Sequence, residues 1–112
     1  MSKYLFFMKF EVIASKQLQF EIALDKILAA HKKSKDGRDG IDVWLTYVGA
    51  GDTTFVWIPI EKLGEMDKWK HSVDIVRDVY PEEGDDILKD LADACSSWET
   101  RILLNDNFED RK

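Results

Sequence analysis

One cysteine, two prolines and two histidines are all that this 112-residue chain contains of the residues that most constrain a backbone or carry chemistry at neutral pH. Cys95 has no second thiol to meet, so an intrachain disulfide is excluded, and so is any zinc or redox site built on a cysteine pair. That usage suits a reducing cytoplasm, where the protein is expected to reside. No apolar run is long enough to cross a bilayer. The segment from Tyr4 to Ile13 lies where a secretion signal would, but Lys9 and Glu11 interrupt it and no small-residue cleavage site follows. Basic residues are also in deficit: 16 against 22 acidic ones leave a net charge of -6. Phosphate binding needs a basic surface, so nucleic acid is not an expected partner, and anionic membranes are disfavoured on the same ground.

His31 and His71 are 40 residues apart with no Glu-rich neighbour at ligand spacing, a weak metal signal. A haem role would need an axial ligand, for which His71 is the candidate. No Ser-His-Asp arrangement is present. The "GAGD" stretch at Gly49 to Asp52 fails as a phosphate loop, because Thr54 stands where a third glycine should and a strand follows where a helix should. It reads as a turn.

What is present is 45% hydrophobic and 34% charged, the balance of a folded protein, expected as one domain over residues 1–112. Tyr4 to Ile13 alternates as a first strand. From about Ser15 the period lengthens to that of a helix, with Phe20, Leu24, Ile27, Leu28 and His31 along one side. The loop "KDGRDG", Lys35 to Gly40, ends it, with two glycines able to adopt left-handed conformations. The cluster Lys32, Lys33, Lys35 and Arg38 is read as complementing the carbonyl end of that helix. Ile41 to Val48 and "TTFVWIPI", Thr53 to Ile60, form a hairpin about the Gly-rich turn. A helical insertion then carries Leu63, Met66 and Trp69, followed by Val73, Val76 and Val79. Pro81 is expected to open a further helix with Ile87, Leu88, Leu91, Cys95 and Trp98 on one face. Glu99 to Asn105 closes the sheet, and a polar, acidic tail follows.

The order is β-α-β-β-α-β with a helical insertion after strand 3. That is the ferredoxin-like α+β plan, an antiparallel four-stranded sheet with its helices on one face. Phe6, Met8, Phe10, Val43, Leu45, Val56, Ile58, Ile102 and Leu104 are assigned to the helix side. The other face then receives Phe7, Lys9, Glu11, Trp44, Thr46, Phe55, Trp57, Arg101 and Leu103, too many large aromatics for a surface left in water. A second copy of the chain is the expected cover.

The runs "KQLQFEIALDKILAAHKKS", "VWLTYVGAGDTTFVWIPIEKLGEMDKW" and "ACSSWETRILLND" span most of the chain in order. In them the chain resembles the dimeric α+β barrel superfamily, and more narrowly small bacterial proteins with an antibiotic-biosynthesis-monooxygenase-like or NIPSNAP-like pattern. The resemblance implies a homodimer with a cavity between helices and sheet or within the barrel. It implies no universal cofactor, and none is expected here. Fold alone does not carry function across.

Three functions stay open on this reading: a dimer binding a small apolar or aromatic molecule, a cofactor-independent monooxygenase or cyclase on an aromatic or polyketide-like substrate, and a purely structural or partner-binding dimer. For the enzyme, His71 or Glu11 would be the base. For the binding protein, Lys9, Glu11 and Arg101 would make a polar pole and Trp44, Tyr47, Phe55 and Trp57 the walls. The plainer readings are a salt-bridge network at the interface for the charges, simple interface for the tryptophans, a satisfied or capping residue for His31, and an inert core thiol for Cys95.

Overall fold

Alternating apolar residues make the first segment a strand, β1 (Tyr4–Val12), in the computed structural model, which describes residues 3–46 and 52–105. A 3₁₀ turn, Ala14–Lys16, leads into helix α1 (Gln17–Lys33). Strands β2 (Asp42–Leu45) and β3 (Thr53–Ile60) follow. Next come a 3₁₀ helix (Leu63–Lys68), helices α2 (Ser72–Val79) and α3 (Gly84–Asp93), and strand β4 (Cys95–Leu104). The strands form one antiparallel sheet in the order β2-β3-β1-β4. This is the ferredoxin-like plan, with the 3₁₀ helix and α2 as the insertion. No helix among the described residues is long and apolar enough to cross a membrane.

Register fixes the two faces. Met8 lies opposite Val56 and Thr100, and Phe6 opposite Ile58 and Ile102, so these side chains share the face that the helices approach. Phe7 lies opposite Trp57 and Arg101, and Lys9 opposite Phe55 and Glu99, on the other face. The division matches the one expected from alternation. β2 is shorter than Ile41 to Val48: it stops at Leu45, although Thr46 still donates its N–H to the Thr53 carbonyl at 3.1 Å. Tyr47, most of the "GAGD" turn and the acidic tail lie outside the described residues.

Two expectations are corrected in the second half. Pro81 does not open a helix but sits in a turn ahead of Gly84. Cys95 and Trp98 are not on a helix: β4 begins at Cys95. The cause of the misreading is a shift in the β1–β4 register. Phe10 pairs with Trp98 and Glu11 with Ser97, but Val12 pairs with Cys95, so Ser96 is left over as a bulge. The extra residue turns Cys95 to the same side as Trp98, which copies helical spacing inside a strand.

The core has two parts. Phe10, Val12, Phe20, Leu24, Val56 and Ala94 fasten α1 to the sheet. Ala23, Ile27, Ala30, Ile75, Val76 and Ile87 join the three helices to one another, away from the sheet. The helix layer is therefore pinned to the sheet at one end and held open at the other.

Candidate functional site

The opening between the layers is a cavity of about 720 Å³, within the size range of small-molecule sites. Phe6, Met8 and Phe10 form its floor, Leu24 and Leu28 part of its roof, and Trp98 stands at the β4 side. Its wall also includes Cys95, whose thiol burial pushes up and keeps protonated. The lining is mainly apolar; apart from Thr100 on β4, its polar groups His31, Arg38, His71 and Ser72 come from the C-terminal end of α1, the following loop and the start of α2.

That polar end depends on how the "KDGRDG" loop returns. Only Gly40 among the described residues has a positive φ, at 74°. Gly37 is needed for a different reason: a Cβ there would lie 1.7 Å from the His31 carbonyl oxygen. The loop thus folds directly onto the last turn of α1, and the Arg38 N–H donates to His31 Nδ1 at 3.2 Å. A backbone N–H can only donate, so the proton of the neutral ring sits on Nε2. Nε2–H in turn donates to Ser72 Oγ at 3.1 Å. His31 is 5% exposed, and burial first, then the Arg38 charge, lower its pKa, which keeps the ring neutral.

Arg38 crosses the cavity wall. Its Nη1 donates to Ser72 Oγ at 2.9 Å and its Nη2 to the Lys70 carbonyl at 2.7 Å. The guanidinium lies 4.6 Å from the Trp69 ring centre, and Trp69 meets Phe6 edge-on at 5.4 Å. Burial lowers the Arg38 pKa, and its Nε is buried with no hydrogen-bond partner among the described residues. Beside it His71 begins α2, its Nδ1 accepting the Val73 N–H at 3.1 Å.

Of the candidate catalytic and ligand-binding residues from the sequence that lie among the described residues, His71 alone lines this cavity; His31 and Cys95, read as structural, line it too. Lys9, Glu11, Trp44, Phe55, Trp57 and Arg101 lie together on the far face of the sheet, so the two candidate bases, His71 and Glu11, are separated by the sheet itself. Each already has a hydrogen-bond partner. The lone pair of His71 Nδ1 is engaged in the helix cap. Glu11 is held below the usual carboxylate range by Lys9, 3.2 Å away, and by the Thr53 hydroxyl. Arg101 pairs with Glu99 at 3.1 Å rather than with Glu11. The aromatics on that face form a chain: Phe7 stacks on Phe55 at 5.8 Å, contacts Trp57 at 6.0 Å, and Trp57 meets Trp44 at 5.9 Å. Both indole N–H groups donate to Asp42 Oδ2, at 3.0 and 3.3 Å. Among the described residues no group of three or more His, Cys, Asp or Glu is placed to hold a metal ion.

No local pattern in the sequence marks Arg38, Ser72 and Trp69 as site residues. Arg38 was read with its lysine neighbours, and the one signal that separates it is its place between two glycines, in a loop that must fold back on the helix.

No family model and no curated protein matches the sequence. Solved structures match over nearly the whole chain. A NIPSNAP family protein from Agrobacterium tumefaciens superposes with a TM-score of 0.67 at 12% identity, covering 99% of this chain and 92% of that one. SnoaB, a cofactor-independent oxygenase from Streptomyces nogalater, superposes with a TM-score of 0.53 at 12% identity, covering 97% and 98%. A dimeric protein of unknown function and ferredoxin-like fold from Bacteroides fragilis gives 0.52 at 12% identity, covering 94% and 98%. The chain therefore shares the ferredoxin-like α+β fold of NIPSNAP and oxygenase structures, at identities that establish fold and leave its chemistry to its own residues.

Proposed function

We propose that the chain is a homodimer that binds a small apolar or aromatic molecule in the cavity between its helices and its sheet. The observation that carries this reading is the cavity itself: a mainly apolar space of about 720 Å³ with its charged and imidazole groups, Arg38, His31 and His71, collected at one end beside Ser72. Apolar walls supply affinity, and a few placed polar groups supply orientation. The far face of the sheet is then the dimer surface. It combines the aromatic chain through Phe7, Phe55, Trp57 and Trp44 with charges of both signs, Lys9 with Glu11 and Arg101 with Glu99. Such a patch complements itself across a two-fold axis. That a fold neighbour from Bacteroides fragilis is dimeric supports a homodimer.

A second reading, a cofactor-independent oxygenase, draws support from the fold shared with SnoaB and from His71 in the cavity wall. For His71 to accept a proton at Nδ1, its ring must first release the Val73 N–H. The ligand-binding reading requires no such change.

Native mass spectrometry of the freshly purified protein, beside a Thr100→Trp variant, tests the proposal. Thr100 lines the cavity, so an indole there takes up part of the ligand's space without removing a core side chain. The expected result is a dimer for both proteins, with a co-purifying small mass or an added hydrophobic acid held by the parent and excluded from the variant. A monomer would overturn the dimer, and equal ligand retention by both proteins would overturn the cavity as the binding site.

A further inference from the structure

Two observations at the polar end of the cavity point to one kind of ligand group, and they rest on the binding proposal above. The first is the state of the Ser72 hydroxyl. Its oxygen accepts from His31 Nε2–H at 3.1 Å and from Arg38 Nη1 at 2.9 Å. A hydroxyl oxygen has two lone pairs, and both are taken. The Ser72 proton is left as a donor with no acceptor among the described residues, on a side chain that lines the cavity. The direction of these bonds is fixed at its source, because His31 Nδ1 takes the Arg38 N–H and cannot also carry the proton.

The second observation is the charge of Arg38. Its contacts are a hydroxyl, a backbone carbonyl and an indole face, all neutral. Asp36, Asp39 and Glu65 share a second, polar pocket with Arg38, yet none of them forms an ion pair with it among the described residues; Asp36 lies 3.7 Å from Lys70. A half-buried guanidinium with no counter-ion among the described residues is costly, and an anion relieves that cost. Hydroxyl and guanidinium face one space whose remaining lining is largely apolar.

We infer that the loop after α1 and the start of α2 form a carboxylate site, in which Ser72 Oγ–H and the Arg38 guanidinium hold the acid group of a small aromatic or aliphatic monocarboxylate while its apolar body lies against Phe6, Met8 and Trp69. A carboxylate suits the planar fork of arginine better than a compact neutral acceptor does. Trp69 holds the guanidinium plane on one side. His31 acts through Ser72 as a positioning residue: by donating to the hydroxyl oxygen it directs the hydroxyl proton toward the ligand.

The test is calorimetric titration of the full chain with 2-naphthoate and with its uncharged methyl ester. One charge-assisted contact corresponds to about a tenfold preference or more for the acid. The expected result is that preference in the parent, its loss in Ser72→Ala and Arg38→Met through weaker acid binding with the ester unchanged, and its retention in Ser72→Thr, which keeps the hydroxyl. Should Arg38→Met fail to fold, the Ser72 pair decides alone. Equal affinity of the parent for acid and ester, or an acid preference that survives Ser72→Ala, would overturn the carboxylate site while leaving the cavity standing as a binding site. Failure of the parent to bind either compound would overturn the cavity reading and this inference with it.

Discussion

Gly37→Ala should be among the most damaging single-atom-group additions to this chain. A Cβ at this position would lie 1.7 Å from the His31 carbonyl oxygen and 2.5 Å from its carbon, both backbone atoms of the last turn of α1. No side-chain rotation relieves such an overlap, so the loop must move off the helix. Overpacking of this kind costs about 1–3 kcal/mol. The displaced loop also loses the Arg38 N–H bond to His31 Nδ1, at roughly 1 kcal/mol. The sum is about 2–4 kcal/mol, which for a chain of this size corresponds to a fall in Tm of roughly 8–20 °C. Gly40→Ala is the internal comparison. Gly40 has a φ of 74°, but its Cβ would meet only Pro59 Cδ at 3.7 Å, an ordinary contact. Its cost is limited to the left-handed backbone term, about 1–2 kcal/mol. Urea unfolding of the parent and both variants measures the two effects. Gly37→Ala should be the less stable of the pair. A Gly37→Ala protein as stable as the parent, or more stable than Gly40→Ala, would refute the close packing of this loop on α1 and with it the geometry of the polar site.

Other expected outcomes follow from the same contacts. The folded-state pKa of His31 is lowered, so the neutral ring favours the fold above the unfolded pKa and that contribution is lost as pH falls below about 6.5. The urea midpoint should drop between pH 7.5 and pH 5.5, and by less in His31→Gln; parallel profiles would show that the ring does not couple to folding. Ile75 is fully buried among the helices, and Ile75→Ala should cost about 2–5 kcal/mol, read by denaturant unfolding; a loss under 1 kcal/mol would mean the helix layer is not packed around it. Trp57→Ala removes the central ring of the open sheet face and should weaken the proposed dimer by about 2 kcal/mol or more, roughly thirtyfold in Kd. Sedimentation velocity over a dilution series measures this, and an unchanged dissociation constant would place the interface elsewhere.

Much of the fold was legible because alternation and helical periodicity in this sequence are strong and seldom conflict. "TTFVWIPI" places Val56 and Ile58 on one face and Phe55 and Trp57 on the other in any register that buries one of them, and β3 does so. The end of the chain was less legible. Leu91, Cys95 and Trp98 keep helical spacing across a helix-to-strand junction, because a bulge at Ser96 supplies the extra residue, and no local pattern distinguishes the two cases. The candidate site was the least legible part. Its members come from α1, a loop and α2, with Arg38 and Ser72 34 positions apart in sequence, and nothing in the local pattern links them. The apolar open face drew notice because large aromatics facing solvent are unusual. The Arg38 site did not, since an arginine beside lysines near a helix end is an ordinary surface pattern.

The four tryptophans of the chain are divided evenly by the sheet. Trp44 and Trp57 share an acceptor, Asp42, on the open face, while Trp69 and Trp98 line the cavity. The protein therefore carries two optical reporters, one on each side of a single layer of strands. Trp44→Phe with Trp57→Phe would leave emission from the cavity alone, with one of its two indoles stacked on a guanidinium whose charge a bound acid would partly neutralise. Trp69→Phe with Trp98→Phe would leave emission from the opposite face, where the environment changes with subunit association. Occupancy and assembly could then be followed by colour and intensity in separate samples of the same fold, without an added label.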